Sequence, residues 1–109
     1  MTDEAKFILL QLYSIYLDRL EDGQTKQISS YFGNAKDSYN NFFLGLNFED
    51  YIEAVFELKS KHLVSTLEVS DNFVRLQLTS DGIAYSESTS KKDYKVLLGL
   101  IKDLKSLIV

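Results

Sequence analysis

The chain has 109 residues, 45% of them hydrophobic, which is enough for one packed core and too little for two independent domains. It contains no cysteine, so disulfides, thiol nucleophiles and thiolate metal sites are excluded. The net charge of -4 is unevenly divided: residues 1–90 hold seven Lys/Arg against fourteen Asp/Glu, residues 91–109 five Lys against two Asp, so the body repels phosphate and the tail does not.

The acidic start Met1-Thr2-Asp3-Glu4 and the interruption of an apolar run at Gln11 argue against a signal peptide or a membrane span, and a cytoplasmic protein is expected. Thr2, followed by two acids, caps a helix over about 3–22 that Gly23 stops. Its apolar positions, Phe7, Ile8, Leu9, Leu10, Leu12, Tyr13, Ile15, Tyr16, Leu17 and Leu20, occupy more than one helical face, which implies a second buried contact. Residues 25–33 read as a short capped helix ending at Gly33, and residues 37–44 as another, with Tyr39, Phe42 and Phe43 on one face. Asn47, with an acid three residues on, opens a helix to about Lys61. Phe48, Tyr51, Ile52, Val55 and Phe56 face inward there, while Glu49, Glu53, Glu57 and Lys61 form an outer row.

After Leu63 the period turns towards two. Val64, Thr66 and Val69, then Val74, Leu76 and Leu78 alternating with Phe73, Arg75 and Gln77, predict a β-hairpin turning at Ser70-Asp71-Asn72. Thr79 or Ser80 caps a following helix, the Ser/Thr stretch 86–90 is read as a break, and Ser90-Lys91-Lys92-Asp93 as a capping box for a last helix. That helix carries the stripe Tyr94, Leu97, Leu98, Ile101, Leu104 and Ile108.

Helix, short helix, helix, two-stranded wing and helix is the order of the winged-helix family. The likeness rests on residues 48–64, similar to the family's third helix running into a wing strand, and on Leu78-Thr79-Ser80-Asp81-Gly82, similar to its strand-to-helix exit. In layout the chain most resembles the small YjcQ-like prophage-type proteins, which follow the wing with this exit and a Lys-rich helix, here Lys91, Lys92, Tyr94, Lys95, Ile101, Lys102 and Asp103. The likeness covers about the last sixty residues. Where the family commonly ends its third helix with glycine, this chain has His62, a residue enriched at positive φ.

The resemblance implies an α+β, mostly helical winged helix with a wing over about 63–79, in one domain of 1–109 whose helix 91–109 serves dimerisation. It further implies a homodimeric regulator of the transcription type that binds DNA. The surplus apolar surface assigns Leu9, Tyr13, Tyr16, Leu97, Ile101, Leu104 and Ile108 to an interface between copies. Lys26, Lys36, Asn40, Asn41 and Arg75 are the candidate nucleic-acid contacts, the first four on an alternative register in which 25–33 and 34–44 form a helix-turn-helix. Charge opposes DNA, because the third helix shows glutamates where phosphate would lie. The other function class is therefore a protein-interaction module that docks a basic partner on Glu49, Glu53 and Glu57. The terminal lysines read most simply as the wet face of an amphipathic helix.

No catalytic residue, metal ligand or cofactor is called for. The one histidine, His62, stands between lysines at a helix end, the five glycines are dispersed, and an acidic row on one helix converges poorly on an ion.

Overall fold

Eleven short elements make up the structure, a computed structural model that describes residues 1–108. They are α1 (Asp3–Glu21), α2 (Lys26–Ser29), β1 (Tyr31–Gly33), α3 (Ala35–Phe42), α4 (Phe48–Ser60), β2 (Val64–Ser65), β3 (Glu68–Val69), β4 (Asn72–Phe73), β5 (Leu76–Leu78), α5 (Ser80–Ser90) and α6 (Tyr94–Ile108). The chain is thus α+β and mostly helical. No described helix is long and apolar enough to cross a membrane.

Helix α1 is the axis of the core. Thr2 caps it by accepting the Ala5 N–H, and Gly23 at φ 91° takes the chain away from its end. Ala5, Ile8, Leu9, Leu10 and Leu12 are wholly buried because α2, α4, α5 and α6 all pack on this helix. At about 1.5–3 kcal/mol for each large apolar side chain removed from water, α1 is the main source of cohesion. The apolar surplus read from its sequence is therefore covered inside one chain.

Asn34, Asn47 and Thr79 cap α3, α4 and α5 in the same way, each accepting the N–H three residues on. Helix α4 buries Tyr51, Ile52 and Val55, with Phe48 and Phe56 half-covered, as the spacing predicts, and it buries Ala54 and Leu58 in addition. His62 does adopt the left-handed conformation, φ 62°, that its place at the end of α4 requires.

Three expectations fail locally. The segment 25–33 is not one helix. Arg19, reaching from α1, donates to the carbonyls of Ile28, Ser29 and Tyr31 and stops α2 after one turn, and residues 31–33 become strand β1. The Ser/Thr stretch 86–90 is no break, because the Ser86 and Ser90 hydroxyls bond the carbonyls of Gly82 and Ser86 and continue α5. The last helix accordingly begins at Tyr94 rather than 91. Lys91 and Lys92 sit at φ 56° and 55°, and Asp93 accepts the N–H groups of Lys95 and Val96.

The hairpin forms with a fault in its register. Val64 pairs with Leu78 and Ser65 with Gln77, but further out Glu68 pairs with Phe73 and Val69 with Asn72. Two residues, 66 and 67, therefore oppose three, 74–76, which makes a bulge on the returning arm. The bulge moves the inward face from Phe73 to Leu76 and Leu78, so Val74 is not the core residue that strict alternation predicts. β1 pairs with the other side of β5, giving an antiparallel sheet of order β1-β5-β2.

Gly82 joins sheet and helix. A Cβ there would lie 2.1 Å from the Leu63 carbonyl oxygen, so the exit motif needs glycine for close approach. Thr79 fastens the same joint, its hydroxyl donating to the His62 carbonyl.

Candidate partner-binding surfaces

The face of α4 turned away from α1 is acidic. Glu49 and Glu53 are exposed there, whereas Asp50, exposed as well, borders a cleft with Glu4 and Ile8 of α1, and the helix's one cation, Lys59, is engaged 2.7 Å from Glu68 of the hairpin. That ion pair ties β3 to α4. On either side of Glu68, Leu67 and Val69 stand about half-exposed, at 54% and 46%, so the outer hairpin is apolar and acidic rather than basic.

Glu57 belongs to a different structure from the rest of its row. Its carboxylate accepts the Thr2 backbone N–H at 2.9 Å and the Thr2 hydroxyl at 2.8 Å, fastening the start of α1 to α4. Burial alone would raise its pKa, but these two bonds, with the N-terminal ammonium and Lys61 nearby, hold it below the ordinary value. The docking row read from the sequence therefore reduces to Glu49 and Glu53.

The expected nucleic-acid residues fall on separate elements. Lys26 opens α2, Lys36, Asn40 and Asn41 lie on α3, and Arg75 occupies the hairpin bulge; all five are exposed. The bulge carries Arg75 to the side of α2 and β1, where it borders an open depression of about 430 Å³ with Gln27, Ile28, Tyr31 and Gln77. Asp37 shares the exposed side of α3 with Lys36.

The residues assigned to an interface between copies are core residues of one chain. Leu9 and Leu97 are fully buried, Tyr13, Tyr16, Ile101 and Leu104 nearly so, and Ile108 is packed against the same cluster. The sequence argument for pairing through these side chains thus loses its premise, since α1 and α6 cover one another.

Arg19 and the ring cluster carry roles that the sequence reading did not assign. The Arg19 guanidinium lies 4.9 Å above the Phe32 ring and 5.7 Å above that of Phe42, and burial lowers its pKa. The signal available was an arginine in the last turn of α1, close before Gly23, where a cation suits the helix dipole. Tyr51 is wholly buried among Tyr39, Phe43 and Phe73, and its hydroxyl sits 2.6 Å from that of Ser38. Burial pushes its pKa far up, against the smaller opposing effect of the Ser38 bond.

No group of three or more His, Cys, Asp or Glu that could hold a metal ion occurs among the described residues. Comparison of the chain with protein-family models, curated proteins and solved structures finds no match.

Proposed function

We propose that the chain is a winged-helix interaction module, working by contact with a basic protein segment rather than by catalysis or by reading DNA. The order α1, β1, α3, α4 and hairpin, with β1 on the far side of the returning strand, supports the winged-helix reading. On that reading α4 is the helix that would enter a major groove and the hairpin is the wing. The observation that carries the proposal is the charge on those two parts: Glu49 and Glu53 on the free side of α4, Lys59 neutralised by Glu68, and a wing tip of Ser70 and Asp71. Affinity for DNA comes mostly from cations on phosphate, and two carboxylates at the reading face oppose it. Leu67 and Val69, half-exposed on either side of Glu68, suit a partner with both lysines and apolar side chains.

The test is fluorescence anisotropy with a labelled amphipathic peptide of Lys and Leu. Saturable binding that weakens at least about tenfold in a Glu49→Lys/Glu53→Lys variant supports the reading, that loss being about 1.4 kcal/mol. Binding unchanged by the double reversal overturns it.

A further inference from the structure

A cavity lies where α6 packs along α1 and residues 42–46 close the groove between them. Its volume is about 140 Å³. An apolar protein cavity of roughly 150 Å³ holds one benzene ring, so the space is that of a single ring. Phe7 of α1, Phe43 and Ile101 of α6 form the floor, and they are 6%, 2% and 9% exposed. The Phe7 and Phe43 rings meet edge to face at 6.2 Å, an arrangement that a third ring can extend. Residues 44–46 form a wall that is fixed in place. Gly45 turns at φ 106°, the Leu46 N–H donates to the Phe43 carbonyl at 3.2 Å, and the Tyr39 hydroxyl donates to the Leu46 carbonyl. The cavity is therefore preformed, as small-molecule sites mostly are.

Two polar side chains line this cavity, each one turn along its helix from a floor residue. Gln11 follows Phe7 on α1, and Lys105 follows Ile101 on α6. Lys105 is the one charged residue of the lining, and it forms no ion pair among the described residues. Gln11 is partly buried, and its amide still reaches solvent and is free to donate. The charge here is opposite to that of the molecule, whose net value is -4. It is also opposite to that of the separate cleft across Gly45 and Leu46, which Glu4 and Asp50 line. A buried apolar floor of one ring's size, with an unpaired ammonium and an amide donor at its edge, is complementary to a ring that carries a carboxylate.

We infer that this cavity binds a small aromatic carboxylate, the ring resting on Phe7, Phe43 and Ile101 and the carboxylate accepting from the Lys105 ammonium and the Gln11 amide. Titration of the full chain with sodium benzoate, followed by amide NMR against sodium chloride of equal ionic strength, tests it. Saturating shifts in residues 7–11, 42–46 and 101–105, with a Kd of about 1–10 mM, are expected for so small a ligand. Benzyl alcohol, which keeps the ring without the charge, should bind about fivefold more weakly, and benzylammonium at least about tenfold. Lys105→Met keeps the apolar stem and should weaken benzoate about fivefold while leaving benzyl alcohol unchanged, and Lys105→Arg should restore most of that loss. N-acetyl-phenylalanine separates two sources of the group: tighter binding than benzoate assigns the cavity to a partner's C-terminal aromatic residue, weaker binding to a free acid. Benzoate shifts that follow sodium chloride alone overturn the inference. So does a Lys105→Met variant that binds benzoate as well as the unaltered chain.

Discussion

Two single positions decide how tightly this chain is built. At Gly82 the added methyl of alanine would meet a backbone oxygen, which cannot rotate aside, so helix α5 must move off the start of β2. Gly82→Ala should therefore cost about 2–3 kcal/mol, read as a lower urea midpoint with an unchanged m-value, although alanine is the better helix former. A neutral or stabilising result would show that the joint is looser than the structure indicates. Tyr51 acts through its proton. Burial disfavours the phenolate, so the folded-state pKa lies above the ordinary 10.0 that the unfolded chain retains. The stability tied to the protonated phenol is then fully present below about pH 10 and is lost as pH rises through the folded value. Tyr51→Phe should cost about 1 kcal/mol at neutral pH, because the Ser38 hydroxyl keeps its bond to the Ala35 carbonyl. It should also reduce the loss of stability between about pH 9 and pH 11, measured by urea unfolding at both. The decline persists in part, because burial raises Tyr13, Tyr16 and Tyr94 as well.

Among the elements, β1 depends most on a residue outside itself. Three residues make a strand too short to hold by its own ladder, and Arg19 supplies the missing anchor through the Tyr31 carbonyl at 2.6 Å and the Phe32 ring. Arg19→Met should destabilise the fold by about 2 kcal/mol and quicken hydrogen exchange in β1 more than in β2; equal quickening would mean that Arg19 is not the pin. The same element shows what the sequence could and could not convey. Caps were legible because Thr2, Asn47 and Thr79 act within one turn of their own helix, and the α4 core stripe followed from its spacing. β1 is hidden because its cause lies twelve residues upstream, and the Ser/Thr stretch of α5 reads as a break because hydroxyls that bond their own helix look, in sequence, like turn formers. The bulge at Arg75 was equally silent, since alternation is read from one strand and a bulge is a mismatch between two.

At the scale of the whole molecule, the segregation of charge was legible from composition, but the fate of the apolar surplus was not. Its excess on α1 is explained by four helices packing around one, an arrangement that no single-helix pattern encodes. Glu57 shows the reverse limit: three evenly spaced glutamates look alike in sequence, and only the return of the N-terminus separates the one that fastens α1 from the two that face solvent. The unpaired charge on the exposed side of α4 is carboxylate, and the function proposed for the chain rests on that. The most direct measurement is a titration of a labelled random duplex DNA with the full chain at about 20 mM salt, where phosphate attraction is least screened. The account predicts no saturable binding even there. Binding that weakens steeply as salt is raised would contradict it and return α4, or the Lys26 and Arg75 surface, to the reading of DNA.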